Sequence, residues 1–331
     1  MAPVTLAEAK KNTTDHIDLQ VIDEFRKSSF LLDSLTFDDA VNPAGGGATL
    51  TYTYTRLATE RPAAFREYNT EYEDAAATRE RVSVDLSPLG GSYSVDRVLG
   101  NLGPAASNEV AFQTSQVIKS TRAFFSDQVI NGERTGTGDA ATGFDGLNSA
   151  LSGSSTEYRP DRVTDWSTFA SDVDARQALD AIDEWLGLMD DTPGAIMGNG
   201  KTIARLRSMA RAAGYYSRTE DAFGRTVENY AGVPFRDLGA KAGSNDPVVE
   251  VGARTVDGAE ATNVSDLYAV RFGLDGFHAV TTAGGSIVRQ WAPDFSTSGA
   301  VKRGEVELGP VAVVLKQTRA ASVFRNIKVA A

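Results

Sequence analysis

Phe124-Phe125-Ser126-Asp127-Gln128-Val129-Ile130-Asn131-Gly132, followed after a Gly- and Thr-rich turn by Gly143-Phe144-Asp145-Gly146-Leu147, is the stretch on which the fold turns. Its apolar spacing extends backwards. Val110, Val117 and Phe124 repeat every seven residues, as do Ala111, Ile118 and Phe125. That spacing predicts one long helix over Asn108–Ile130 with a one-sided apolar stripe. At 1.5 Å per residue, about 23 residues span roughly 35 Å. Gly103-Pro104 precedes the helix, and Asn131-Gly132 supplies its C-cap, so the helical unit runs over 108–131.

Towards the N-terminus, Asn42-Pro43-Ala44-Gly45-Gly46-Gly47 breaks regular structure. Thr49-Leu50-Thr51-Tyr52-Thr53-Tyr54-Thr55 then alternates β-branched and aromatic residues, which predicts a strand. A second strand-like run is Arg81-Val82-Ser83-Val84-Asp85-Leu86. Between them, residues 56–80 are dense in charge of both signs. Two strands flanking such a tip make an extended hairpin too poor in apolar residues to form a core. A projection of this kind makes sense when another molecule completes it. The first forty residues read as an arm with an amphipathic helix carrying Ile17, Val21, Ile22 and Phe25, capped by Thr14 or Asp15. Phe30-Leu31-Leu32 and Leu35 follow. A helix this short must lie on its own domain or on a neighbour.

Towards the C-terminus, helices and strands alternate from about residue 160. A helix over Val173–Met189, capped by Ser171 or Asp172, lines up Ala175, Ala178, Leu179, Ile182, Leu186 and Met189. Ala195-Ile196-Met197 is a short strand, and Thr202–Ala213 a helix ending at Gly214. Further strands are predicted at 230–235, 266–272, 305–308 and 311–315.

Composition narrows the function. The 331 residues are 41% hydrophobic and 23% charged, an ordinary globular balance with room for about two domains. There is no Cys, which excludes disulfides, thiolate nucleophiles and Cys-ligated zinc. The two His, His16 and His278, cannot make a three-His metal site, and each is expected in a surface or half-buried role. The net charge is −11 with no basic cluster, which argues against a reader of nucleic acid. Nothing resembles a secretory signal or a bilayer span, so a cytoplasmic site of synthesis and no membrane are expected.

Ala195-Ile196-Met197-Gly198-Asn199-Gly200-Lys201-Thr202 fits a relaxed phosphate-loop pattern between a strand and a helix. Its first residues read as strand, however. That leaves only Gly198-Asn199-Gly200 as a tight turn, too little backbone to cradle phosphates. The carboxylate pairs Asp38-Asp39 and Asp190-Asp191 read as solvated surface. No catalytic residue, metal or cofactor is expected.

The joint order of these elements resembles the major capsid proteins of tailed bacteriophages, a coat-protein fold also found in encapsulin shells. Carrying the resemblance are the arm from Val21-Ile22-Asp23-Glu24-Phe25 through Leu35-Thr36-Phe37, the hairpin, the long helix and Gly143-Phe144-Asp145-Gly146-Leu147. Met197-Gly198-Asn199-Gly200-Lys201 through Gly214-Tyr215-Tyr216 and Tyr230-Ala231-Gly232-Val233-Pro234-Phe235 add to it. The resemblance implies an α+β fold with an N-terminal arm (1–42), an extended β-hairpin loop (43–86) and a peripheral domain with the spine helix (87–150 and 284–331). A mixed α/β axial domain (151–283) would pack around a capsomer axis. It implies self-assembly into pentamers and hexamers of an icosahedral virion shell, in the host bacterial cytoplasm. That shell would enclose double-stranded DNA without reading it, and its partners would be portal and scaffolding proteins and a decoration protein. Phe25 on the arm and Phe65, Arg66, Glu67, Tyr68 and Tyr72 at the hairpin tip are the expected inter-subunit contacts. With the hairpin beginning near residue 48 and Met1 present, scaffolding is expected from a separate protein. The absence of Lys between Lys27 and Lys119 removes the loop lysine that some members use to cross-link their shells. An encapsulin-type compartment, a phosphate-loop nucleotide-binding enzyme, and a tail or adhesion protein are the rival readings.

Overall fold

The structure is a computed structural model and describes residues 30–41, 47–100, 109–136, 141–168, 172–214, 217–220, 226–282 and 287–330. The arm helix expected around residues 14–25, Phe25 included, lies outside the described residues. In chain order the elements begin with α1 (Phe30–Ser34), β1 (Phe37–Ala40), β2 (Thr51–Thr59), β3 (Thr78–Asp85), β4 (Ser87–Asp96), α2 (Arg97–Gly100), α3 (Glu109–Asn131) and α4 (Leu147–Leu151). Then come β5 (Glu157–Tyr158), β6 (Thr164–Asp165), α5 (Asp172–Leu186), β7 (Ala195–Gly198), α6 (Gly200–Ala212), β8 (Ser217–Glu220), β9 (Thr226–Tyr230) and β10 (Val233–Asp237). The rest is strand: β11 (Gly252–Val256), β12 (Ala259–Val270), β13 (Phe277–Thr282), β14 (Val288–Trp291), β15 (Val301–Leu315) and β16 (Ala321–Lys328), with one 3₁₀ turn at Thr318–Ala320. The fold is α+β, as expected. No described helix is long and apolar enough to cross a membrane.

Helix α3 is the predicted spine, and its C-terminal end shows why the neighbouring glycines matter. Gly132 N–H donates to Gln128 O at 2.9 Å, and Gly146 N–H donates to Gly132 O at 2.8 Å. A Cβ on Gly132 would sit 2.4 Å from Gln128 O and 2.5 Å from Phe144 O; one on Gly146 would sit 2.6 Å from Gln128 O. Only glycine lets the Gly143–Leu147 segment close against the helix end. Phe144 and Leu147 thereby drop into the core beside Phe125, Val129 and Ile130. The predicted stripe needs one correction: Phe125 is fully buried, but Phe124 is 45% exposed. A seven-residue repeat drifts by about 20° per heptad on a straight helix. Val110 and Val117 accordingly pack on Tyr93, Val95 and Leu99, while the buried face further on is that of Phe125 and Val129.

Two larger sheets and a two-stranded ribbon make up the rest. The first sheet runs β1-β13-β15-β14, with β4 also on β15. The second runs β5-β16-β12-β7-β10-β9-β8, with β11 on β12 and β6 on β16. The central strands of the second, β7, β16 and the C-terminal half of β12, are buried on both faces, and the period of two sorts their side chains. Ala195, Met197, Tyr268 and Val270 face the core that holds α3. Ile196, Leu267 and Ala269 face the other core, built with Leu179, Ile182 and Trp185 of α5 and Ile203, Leu206 and Met209 of α6. At the centre of that second core Phe324 meets the rings of Tyr158, Trp166 and Trp185 at 4.7, 5.6 and 5.8 Å. Each such buried ring contributes roughly 1.5–3 kcal/mol.

The strand pairings cross the sequence boundary expected at 283/284. β13, on its N-terminal side, pairs with β15, and β16, on its C-terminal side, pairs with β12. The end of the expected arm lies on its own chain, one of the two supports expected for it. Leu31 and Leu35 are buried in the α3 core, and β1 lies parallel to β13.

Candidate assembly interface

The hairpin is built from β2 and β3, paired antiparallel with Tyr52 opposite Val84 and Tyr54 opposite Val82. These four side chains share one face of the ribbon and are half-buried. Tyr54 Oη donates to Leu315 O at 3.0 Å, and Tyr52 Oη donates to Asp38 Oδ2 at 2.7 Å. Lys316 lies over the Tyr52 ring, its Nζ 5.4 Å from the centroid. Arg134 bridges to Asp85 at 2.6 Å. The base of the hairpin is thus fixed to the body.

Beyond Thr55 the ribbon overhangs a cleft that Arg56, Leu57, Ala58 and Glu60 share with Asp275 and Lys316 of the body, and residues 56–74 are exposed. At about 3.3 Å per residue the run from Arg56 to Phe65 can reach on the order of 30 Å from its base. An isolated two-stranded ribbon is marginal in water. Here the outer part is held by polar pairs: Arg56 Nε to Glu80 Oε2 at 2.9 Å and Arg61 Nε to Ala75 O at 2.8 Å.

The tip is ordered by Arg66. Its Nη1 donates to Glu67 O at 3.1 Å and to Thr70 O at 3.2 Å, closing the turn over Tyr68-Asn69. Asn69 takes φ 66°, a conformation that Asn tolerates better than most side chains. The Arg66 guanidinium stands 5.4 Å from the Tyr72 ring centre, within cation–π range. Of the residues named from the sequence, Arg66, Glu67 and Tyr72 are brought together. Phe65, Tyr68 and Tyr72 are 105%, 96% and 62% exposed, three aromatic side chains held out in water. Aromatics of this kind on one tip, with Arg66 beside Tyr72, have the composition of an interface centre.

His278 departs from expectation. Instead of a surface or half-buried role it is fully buried on β13, edge-on to Tyr52 at 5.9 Å. The sequence signal was weak because its strand partner, Val314, is 36 residues away. Burial, reinforced by the Lys316 charge, pushes its pKa down to about 4. Between about pH 6.5 and pH 4 the unfolded chain therefore binds a proton that the folded chain does not, so this residue's contribution to stability falls as pH falls. The full effect is about 3 kcal/mol. Denaturant unfolding at pH 7 and pH 4.5 should show a smaller loss for His278→Gln than for wild type, by about 2 kcal/mol. Equal losses would show that the folded protein accommodates the protonated ring.

The phosphate-loop pattern is a capped helix. Asn199 Oδ1 accepts from the N–H groups of Lys201 and Thr202, each at 3.0 Å, and so occupies the donors a phosphate would need. Its Nδ2 donates to Ser265 Oγ at 2.5 Å. The Lys201 side chain points to solvent. Lys201→Ala should change unfolding free energy by no more than about 0.5 kcal/mol. Mg-ATP should leave the melting temperature of wild type unchanged; a rise that the variant lacks would restore the nucleotide-site reading.

A polar cleft of about 1120 Å³ lies elsewhere, lined in part by Asn148, Arg254, Asp266, Tyr268 and Arg325. Arg325 is its buried anchor. Its Nε donates to Glu157 Oε1 at 2.9 Å, and its Nη1 donates to Asn148 Oδ1 at 2.5 Å and Asp266 Oδ2 at 3.2 Å. Asp266 also accepts from Arg254 at 2.6 Å. Burial holds the Tyr268 hydroxyl well above its usual pKa, so it stays protonated. These charges satisfy one another and tie α4, β5, β12 and β16 together. Among the described residues, no group of three or more His, Asp or Glu is placed to hold a metal ion.

Comparison with solved structures sets this architecture in context. The chain is similar over nearly its whole length to the SrpI encapsulin of Synechococcus elongatus PCC 7942, with TM-score 0.63 at 14% identity, covering 99% of this chain and 97% of that one. It is similar to the capsid of Myoviridae phage XM1, with TM-score 0.56 at 14% identity and coverage of 98% and 100%. The capsid of a native GTA particle gives TM-score 0.57 at 13% identity, with 98% of each chain covered. No family model matches the chain, and no curated protein matches it in sequence. The fold is the coat-protein fold shared by tailed-phage capsids and encapsulin shells.

Proposed function

We propose that this chain is a major capsid protein of a tailed bacteriophage, a non-catalytic subunit that assembles into pentamers and hexamers of a closed shell around double-stranded DNA. The observation that carries the reading is the hairpin tip. Phe65, Tyr68 and Tyr72 are solvent-exposed on an ordered ribbon outside both cores, an arrangement that gains only when a neighbour covers it. The full-length likeness to shell proteins supports it. Heterologous contacts between identical subunits close into rings, which suits capsomers. In this reading residues 43–86 are the extended loop reaching an adjacent subunit. The α3 unit with β15 forms the periphery, and the sheet bearing α5 and α6 lies near the capsomer axis. Phe25 on the arm would be a further contact. A net charge of −11 suits a wall that lets packaged DNA go, in a virion assembled in the host cytoplasm with portal, scaffolding and decoration proteins.

The likeness to an encapsulin favours one second reading, a compartment around protein cargo. Sedimentation velocity across protein concentration and salt, followed by extraction of the particles, tests both. Particles holding nucleic acid support the capsid, particles holding only protein support the compartment, and a monomer under every condition with scaffold supplied contradicts both.

A further inference from the structure

Helices α5 and α6 lie side by side on one face of the second sheet and share its core. Their outward charges are opposite. α5 carries Asp174, Asp180, Asp183 and Glu184 against one base, Arg176. α6 carries Lys201, Arg205, Arg207 and Arg211 and no acid. Isolated charge runs are ordinary solvated faces, but here the two signs are sorted between two neighbouring helices. α5 packs on β16, and Glu184 reaches out to accept from the hydroxyl of Tyr158 on β5, the edge strand at that end, at 2.9 Å. α6 packs on β12, β7 and β10, and Arg207 pairs with Glu228 of β9 near the opposite end. Asp183 of α5 also accepts from the hydroxyl of Tyr230 on β9 at 2.8 Å, so the sorting is by helix: the α5 side of the layer is acidic and the α6 side basic.

We propose that the acidic face of α5 on one subunit docks against the basic face of α6 on the next copy, and that this pairing sets the head-to-tail direction of the ring. The inference rests on the shell reading above and names the surfaces that close its capsomers. Like edges repel, so two copies facing each other through the same edge are disfavoured, whereas acid to basic repeats indefinitely and closes when the rotation allows. Each such contact is weak and salt-sensitive, which favours correct closure over trapped misassembly.

Charge inversion tests it on the full-length chain. Gln177→Lys, Asp180→Lys and Glu184→Lys invert the outer face of α5. Lys201→Glu, Ala204→Glu and Arg211→Glu invert that of α6. At about 0.1 M salt each triple variant should lower the particle fraction about tenfold or more, while the free subunit melts as wild type. Mixing the two variants should restore hexameric rings, because alternating copies again meet with opposite sign. All six changes in one chain should restore particles to within about twofold of wild type. If a triple variant melts early, the neutral pair Asp180→Asn and Lys201→Gln carries the test, by lowering the salt concentration at which particles dissociate. Triple variants that assemble as wild type overturn the pairing, as does a six-change chain no better than its parents. A wild type that forms no particles in any salt overturns the shell reading and this pairing with it.

Discussion

Phe65→Ala should sharply reduce particle yield and particle stability while leaving the melting temperature of the free subunit unchanged. Phe65 is fully exposed in the isolated chain, so truncating it removes no packing there. A surface change of that kind moves stability by no more than about 0.5 kcal/mol. In an assembled shell the ring becomes an interface anchor, and its loss costs about 2 kcal/mol or more per contact. That is roughly thirtyfold in each contact's equilibrium constant, and it recurs at every equivalent position. Single charge changes at Glu67 or Glu71 remove only exposed interactions worth about 0–1 kcal/mol and should do far less. Particle yield and subunit melting are measured together. Normal yield would remove Phe65 from the interface, and an unfolded subunit would place the tip in the fold's own core.

The second large effect is on the fold itself. Arg325→Ala should destabilise the subunit by about 3–5 kcal/mol, because it strands buried carboxylates rather than merely losing bonds. The Arg325 side chain is 7% exposed, and those of Glu157 and Asp266 are 9% and 4% exposed. Asp266 keeps Arg254 at 2.6 Å and Glu157 keeps the exposed Arg159 at 3.3 Å, which places the expected loss toward the lower end of that range. Arg325→Lys retains the charge but not the fork that serves Glu157, Asn148 and Asp266 together, so it should fall between. Denaturant unfolding with an unchanged slope reads the difference. A loss under about 1 kcal/mol for Arg325→Ala would mean the carboxylates find water or new partners.

The local elements were legible where a single periodicity governs them. The spine helix and its glycine-closed end follow from a repeat and a turn within one short stretch. The hairpin follows from the alternation of Tyr52 and Tyr54 with threonines. The tip's order was not legible, because it depends on Arg66 reaching backbone carbonyls and the Tyr72 ring. Long-range sheet partners were also hidden. β4, for which the sequence predicts no element, pairs along β15 so closely that a Cβ on Gly90 would lie 2.3 Å from Val306 O. β15 itself is one strand of 15 residues where the sequence predicts two, because Gly309-Pro310 punctuates it and the chain takes a register shift there. β16 carries Arg325 and Asn326 and looks polar, yet it lies inside the second sheet because β12 and β5 supply the carboxylates that Arg325 requires.

Electron cryo-microscopy of the purified full-length chain, with scaffold supplied, tests the central claim most directly. The account predicts closed shells of ring-shaped capsomers in which each hairpin tip, Phe65 foremost, is covered by an adjacent subunit. Dispersed monomers at every concentration and salt, or shells in which the tips stand free in solvent, would contradict it.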